Sequence, residues 1–386
     1  MSVSQKKKRM IAMITGSRAE YSYYQPIIRE ITKRSDLDYG IIATCMHPLE
    51  TFGSTIEEVR KDGFKIHAVV RNNFDGYNHI TMAKSLAVLM MQLPELFEQM
   101  GADMVLVAGD RGEQFAGAVV GVHMYLPVAH IQAGELSGNI DGTVRHAITR
   151  FAHIHFTSNQ DAFDRIIKFG EQPERVHLVG APQVDDLVHG KHTSPETLYK
   201  KFDLKKSEPF LLFVFHPVTE EMNRIEQYTK QVMEALQQVG VRAIIIANNS
   251  DAGSNLIRKT VQQHIKPFMS IFDNLPREDY AGLMALAGAL VGNSSGGILE
   301  APTFELPAVN IGNREKGRLQ GKNVINTGYG TAEVVAGIKK ALSPEFKKGL
   351  KGCVNPYGDG KAAPRIVDVL ASVKIDDALL IKQITY

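Results

Sequence analysis

The sequence predicts an α/β protein built from two doubly wound domains, and three observations carry that prediction. Short apolar runs recur with longer amphipathic stretches between them, the pattern of buried parallel strands joined by crossover helices. The alternation stops in a polar, lysine-rich stretch at 185–209 and then restarts. A chain of 386 residues, 44% of them apolar, can fill two cores at the usual domain size of roughly 100–200 residues.

The first domain is expected over 1–184. Its candidate strands are Met10–Thr15, Tyr39–Thr44, Lys65–Val70, Met104–Ala108, Pro127–Ile131, His153–Thr157 and Val176–Val179. Helices fill the gaps at Glu20–Arg34, Ser54–Lys61, Ile80–Met100, Gly112–Met124, Thr143–Ala152 and Gln160–Phe169. The interdomain connection falls at 185–209. The second domain, 210–363, has strands at Phe210–Phe215, Ala243–Ile246, Met269–Phe272, Ala289–Gly292 and Ala308–Ile311. Helices are expected near Glu220–Gln238, Gly253–His264, Arg277–Ala287 and Ile298–Phe304, and a final helix in 364–386 could cross back onto the first domain.

Composition narrows the function. The 44 basic and 42 acidic residues leave a net charge of +2, which argues against the basic face of a nucleic-acid binder. The run Lys6–Arg9 is a solvated lead-in to the first strand. Two cysteines, Cys45 and Cys353, cannot build a disulfide framework, which fits a reducing cytoplasm. The apolar stretch Met10–Ile14 is too short for a signal-peptide core, and a soluble protein away from the membrane is expected.

In open α/β sheets, ligands bind beyond the carboxyl ends of the strands, so motifs there carry the most weight. Thr15-Gly16-Ser17-Arg18-Ala19-Glu20 ends the first strand and opens a helix, offering amides, hydroxyls and a guanidinium to an anion, or simply a strand-to-helix turn. It lacks the dinucleotide fingerprint G-x-G-x-x-G. Gly109-Asp110-Arg111 follows the fourth strand; Asp110 could exchange a proton or merely cap a helix.

The densest constellation is His130-Ile131-Gln132-Ala133-Gly134-Glu135, then Asp141 and Arg145-His146. Carboxylates in opposed environments keep an acid and a base available at neutral pH. His130 and His146 are read as structural, and His146, His153 and His155 match no zinc spacing. In the second half, His216 ends a strand and Asn249 follows another. Gly292-Asn293-Ser294-Ser295-Gly296-Gly297 permits close approach of a diphosphate, with Glu300 placed for ribose hydroxyls and Arg314 for phosphate.

Together TGSRAEYS, GDR, HIQAGELSGNIDGTVRHAITR, FHPVT, NSDAGS, GNSSGGILEA, NIGNREKGR and YGDGKAAPRI resemble the hydrolysing UDP-N-acetylglucosamine 2-epimerases over nearly the whole chain. The resemblance implies a GT-B architecture, two Rossmann-like domains facing a central cleft. It also implies no metal or other cofactor, a homo-oligomer (dimer or tetramer), and a place in sialic-acid or surface-glycan biosynthesis. The non-hydrolysing relatives usually carry GDT where this chain has Gly109-Asp110-Arg111. By motif, Arg18, Ser22, Arg111, His216, Asn249, Ser294, Ser295, Glu300 and Arg314 become UDP contacts, with Phe272–Pro276, including Asn274, near the base.

Asp110 and Asp141 become the catalytic carboxylates. Some relatives have an acid where this chain has Gln132, so either Glu135 supplies that function or Gln132 orients substrate or water. The implied reaction is loss of the C2 proton with departure of UDP, then addition of water to the resulting glycal. The substrate is UDP-N-acetylglucosamine or a UDP-2,4-diacetamido-2,4,6-trideoxyhexose. A GT-B glycosyltransferase, a non-hydrolysing epimerase and a weakened UDP-sugar-binding regulator are the competing readings.

Overall fold

The computed structural model describes residues 7–50, 53–74, 78–138, 140–248 and 251–386. The first domain opens with β1 (Arg9–Thr15), α1 (Arg18–Ile31), β2 (Leu37–Ala43), α2 (Ile56–Lys61), β3 (Ile66–Val69) and α3 (His79–Met100). It continues through β4 (Met104–Ala108), α4 (Gly112–His123), β5 (Val128–Ile131), α5 (Ile140–Phe151), β6 (Ile154–Thr157), α6 (Gln160–Lys168) and β7 (Val176–Leu178). The polar stretch then holds most of α7 (Pro182–Val188) and all of α8 (Pro195–Lys201).

The second domain begins with β8 (Phe210–Val214), α9 (Ile225–Val239), β9 (Arg242–Ile246), α10 (Ser254–Gln263), β10 (Met269–Phe272) and α11 (Arg277–Leu286). After β11 (Ala289–Gly292) come α12 (Gly296–Leu299), β12 (Ala308–Ile311), β13 (Val324–Thr327), α13 (Thr331–Leu342) and α14 (Pro344–Gly349). Last are α15 (Ala362–Ser372) and α16 (Asp377–Leu380).

The first sheet has the order β3-β2-β1-β4-β5-β6-β7 and the second β10-β9-β8-β11-β12-β13. Every described pairing is parallel. Both orders reverse at one point, between β1 and β4 and between β8 and β11, and these switch points are where such sheets leave a crevice. Both are thus Rossmann-like. The strands are apolar on both faces because helices cover both: Ile11, Met13 and Leu106 face one core of the first domain, and Ala12, Ile14 and Val105 face the other. Burying each large aliphatic side chain contributes about 1.5–3 kcal/mol.

Ser17 starts α1 with a reciprocal cap. Its hydroxyl accepts from the Glu20 amide at 3.4 Å, while the Glu20 carboxylate accepts from the Ser17 amide at 3.0 Å. That cap aims the Arg18 side of the turn into the cleft. α15 packs on α1 and α7, and its Ile366, Val367 and Leu370 join the first domain's core.

Some elements differ from expectation. The helix expected from Glu220 begins as a 3-10 turn at Thr219–Arg224, and the one over Ile298–Phe304 breaks after Leu299 into a second 3-10 turn, where Pro302 has no amide to donate. β13 adds a strand beyond those expected, because its edge position leaves VINT only partly buried and without an apolar run. α3 is long and apolar enough to cross a membrane by length and composition. Here it packs through Leu89, Leu93, Phe97 and Met100 into the core of the first domain that holds Ala12 and Ile14.

Candidate active site

The carboxyl ends of β1, β4, β8 and β11 converge on one cavity of about 210 Å³ between the domains. The first domain contributes Arg18, Ser22, Tyr23, Asp110, Arg111, Asp141 and Arg145, and the second His216, Asn274, Arg277, Ser294, Ser295, Glu300, Arg314 and Arg318.

The sequence folds this way locally because tight backbone approaches are reserved for glycine. Gly292 has φ 134°, and a Cβ there would lie 1.9 Å from the carbonyl oxygen of Val214. This lets the Asn293 side chain bridge to the His216 backbone, accepting at 2.7 Å and donating at 2.8 Å. Across the cleft, Gly138 donates its amide to the Arg314 carbonyl at 2.9 Å, and a Cβ there would meet the Asn313 oxygen at 1.9 Å. Arg318 adds a bond to the Leu136 carbonyl at 3.0 Å. The loop after β5 is therefore docked on the loop after β12.

Asp110 and Asp141 sit in contrasting electrostatic environments. Burial pushes Asp110 up, but Arg145, Arg318 and Arg314 outweigh it and hold the carboxyl below its usual range. Arg145, almost wholly buried, pairs with Asp110 and donates to the Gln132 carbonyl at 2.8 Å. Asp141 goes the other way. Burial, with the charges of Asp110 and Asp251 nearby, pushes it up to about 7 against the pull of Arg314, which stands 4.0 Å away. One carboxylate is thus ionised and the other poised near neutrality.

The cations have defined supports. Arg111 is held by Glu113 at 3.0 Å and by Asp251 of the second domain at 3.1 Å. Arg314 is held by Glu315 at 2.6 Å, and one Arg18 nitrogen is buried without a hydrogen-bond partner. Burial, then Arg314, lowers His216 to about 3, so its imidazole is neutral at pH 7. Glu300 accepts from Arg277 at 2.7 Å. Among the described residues, no group of three or more His, Cys, Asp or Glu is placed to hold a metal ion.

A family model described as UDP-N-acetylglucosamine 2-epimerase matches residues 29–371. The chain belongs to this family. It is 32% identical to a UDP-N,N'-diacetylbacillosamine 2-epimerase (hydrolyzing) of Legionella pneumophila, over 97% of this chain and 98% of that protein. It is also 32% identical to a UDP-N-acetylglucosamine 2-epimerase of Neisseria meningitidis serogroup B, over 87% of this chain and 88% of the relative. A crystal structure of a Neisseria meningitidis UDP-GlcNAc 2-epimerase bound to UDP-GlcNAc has the same GT-B fold, with TM-score 0.81 and 19% identity over 94% of this chain and 99% of that one.

In this family member most residues singled out from sequence meet in the cleft. Asp110, Asp141, Arg18, Ser22, Arg111, His216, Asn274, Ser294, Ser295, Glu300 and Arg314 all line it. Asn249 lies outside the described residues. Gln132 and Glu135 do not line the cavity. Gln132 sits at φ 59° and is buried, with its side-chain nitrogen unpartnered. Glu135 is buried behind the cleft, accepting from Asn159 at 2.7 Å. A turn runs through 132–134 with Gln132 and Gly134 in the left-handed region, and both side chains end buried off the cavity lining.

His130 donates Nε2–H to the Gly109 carbonyl at 2.7 Å and supports the Asp110 loop from below. Tyr23, Arg277, Tyr280 and Arg318 also line the cavity and are not among the site residues expected from sequence. Arg318 had a usable signal, a second arginine four positions after Arg314 in the same glycine-containing loop. Arg145 lies inside the quoted motif, but its pairing with Asp110 depends on a helix turn that only the fold reveals.

Proposed function

We propose that this epimerase-family chain is a hydrolysing 2-epimerase that turns UDP-N-acetylglucosamine and water into N-acetylmannosamine and UDP. The observation that carries the reading is the pair of cleft carboxylates with opposed environments, Asp110 ionised and Asp141 near neutrality. Asp110 takes the C2 proton. The C1–O bond breaks, its electron pair leaves with UDP, and a C1–C2 double bond remains. Asp141 then gives a proton to C2 from the opposite face, inverting that carbon, as water adds its oxygen to C1; the proton that water loses returns to Asp141, and the C2 proton held by Asp110 passes to solvent. Arg18, Arg111 and Arg314 stabilise the leaving diphosphate; preorganised groups of this kind contribute several kcal/mol.

Support for the hydrolysing branch comes from Arg111 in the Gly109-Asp110-Arg111 turn and from the Legionella pneumophila relative, whose name states hydrolysis. The same name favours a second substrate, a UDP-diacetamido-trideoxyhexose. In this reading Glu300 and Arg277 hold the ribose and Ser294 and Ser295 the diphosphate. The outward face of α3, with Ile80 68% and Met91 76% exposed, supports a homo-oligomer, and the proposed site of action is the cytoplasm, in surface-glycan biosynthesis.

The test is to incubate the purified chain with each nucleotide sugar, without added metal or acceptor, and to quantify free UDP against free sugar. Equal amounts of both products support the reading, and the larger kcat/KM identifies the substrate. A UDP-linked epimer in place of free sugar points to the non-hydrolysing branch; a strict need for an acceptor sugar points to a glycosyltransferase.

A further inference from the structure

The helix that carries Asp141 and Arg145 into the cleft is gripped at its other end by a residue more than two hundred positions away. α5 has 12 residues and is therefore about 18 Å long. Because it leads into β6 of a parallel sheet, its first turn lies at the cleft and its last turn at the opposite edge. There Lys382 donates to the carbonyls of Thr149 at 3.1 Å and Ala152 at 2.9 Å, groups that a helix end leaves without an internal partner. A cation in that place also complements the helix dipole.

Lys382 is itself held. Its ammonium pairs at 2.9 Å with the fully buried Glu171, which also takes Arg150 of α5 at 2.6 Å and His155 of β6 at 3.3 Å. Burial opposes the charge on Glu171, but His155 and Lys382 overcome it and lower the carboxyl to about 2, so it remains an anion throughout the working range. The segment bearing Lys382 is fixed on either side. Arg175 donates to the carbonyls of Ala378 at 2.6 Å and Leu379 at 2.7 Å, and the Thr385 amide donates to Gly170 at 3.0 Å. A tilted ring contact between His146 and Phe169, with centroids 5.0 Å apart, ties the middle of α5 to the same support.

We propose that Lys382 is a positioning residue for proton transfer: by holding the far end of α5 it fixes the height and rotation at which Asp141 and Arg145 enter the cleft. The proposal rests on the epimerase reading for the role of Asp141. A displacement of about 1 Å at reacting groups can cost on the order of a hundredfold in rate, so an anchor 18 Å away can matter to catalysis. Nucleotide binding should be indifferent to it, because most of the expected UDP contacts belong to the second domain.

The experiment compares the full chain with Lys382→Met and Lys382→Arg, measuring kcat, KM, the pH profile of kcat and Tm. Asp141 is faced by Asp110 and Arg111 of the first domain and by Asp251 and Arg314 of the second. Releasing α5 shifts Asp141 relative to these four charges, so the limb near pH 7 moves. Lys382→Met is expected to lower kcat about tenfold, with KM within about twofold of wild type, and Lys382→Arg to restore both kcat and the limb. Carbon-13 titration of the Asp141 carboxyl reads the same displacement without turnover. A chain inactive on every nucleotide sugar would therefore sink the epimerase reading and leave this test standing. If Lys382→Met fails to fold, Arg150→Gln loosens the same anchor from a more exposed position. A variant with lower Tm but unchanged kcat and unchanged Asp141 titration overturns the proposal.

Discussion

Arg145 and Asp110 form an ion pair inside the first domain, and the same guanidinium donates to the Gln132 carbonyl at 2.8 Å. One side chain on α5 thereby sets the relative position of the loops after β4 and β5. It also keeps Asp110 ionised where burial alone would neutralise it.

Arg145→Met should make the protein more sensitive to acid. A carboxyl held below its unfolded value contributes stability that is present above the unfolded value of about 3.8 and is lost as pH falls through the folded one. Without Arg145 that contribution disappears, and a buried carboxylate is left with less compensation, a change that typically costs about 3–5 kcal/mol. Acid unfolding followed by circular dichroism should show its midpoint moved to higher pH. An unchanged midpoint would mean that Arg318 and Arg314 suffice.

Asp141→Asn should trade activity for stability. The folded chain keeps a proton on Asp141 up to about pH 7 that the unfolded chain releases near pH 4, so this group destabilises the fold progressively as pH rises between those values. At pH 8 the amide should raise Tm by roughly 2–4 °C, while kcat falls by about 10²–10⁴. Calorimetry and UDP release check the two halves separately.

Asp110→Asn removes the proposed base and should lower kcat by a similar factor of about 10²–10⁴ while leaving UDP binding within about threefold of wild type. Titration calorimetry with UDP distinguishes this from a general collapse of the cleft.

Gly138→Ala should act on the joint between domains. The added Cβ would sit 1.9 Å from the Asn313 oxygen, so the loop can no longer dock on its partner as it does now. Overpacking typically costs about 1–3 kcal/mol. Borne by this joint, that cost lowers kcat/KM by roughly 5- to 150-fold, whereas Tm should barely move because Gly138 is at an exposed loop.

The fold was readable because it follows from buried parallel strands. The runs around Met13, Val107, Leu212 and Val291 are apolar on both faces, and a short polar tip after each marks a carboxyl end. The cleft residues followed from those tips. Less legible were contacts made by the direction of a turn: the left-handed backbone at Gln132 takes its side chain and that of Glu135 off the cleft wall, and no residue pattern announces it. The roles of Arg145 and Lys382 were hidden for a related reason. Each works through partners brought together by tertiary structure, Arg145 through the loop holding Asp110 and Lys382 through Glu171 and the end of α5.

The most direct measurement follows C2 of the sugar during turnover in deuterated water. If Asp110 and Asp141 exchange the C2 proton and water intercepts the glycal, the free 2-epimerised sugar carries deuterium at C2 and appears in step with UDP. Free sugar that keeps its original hydrogen at C2 would contradict the account, because the bond to C1 would then have been cut without any proton transfer at its neighbour.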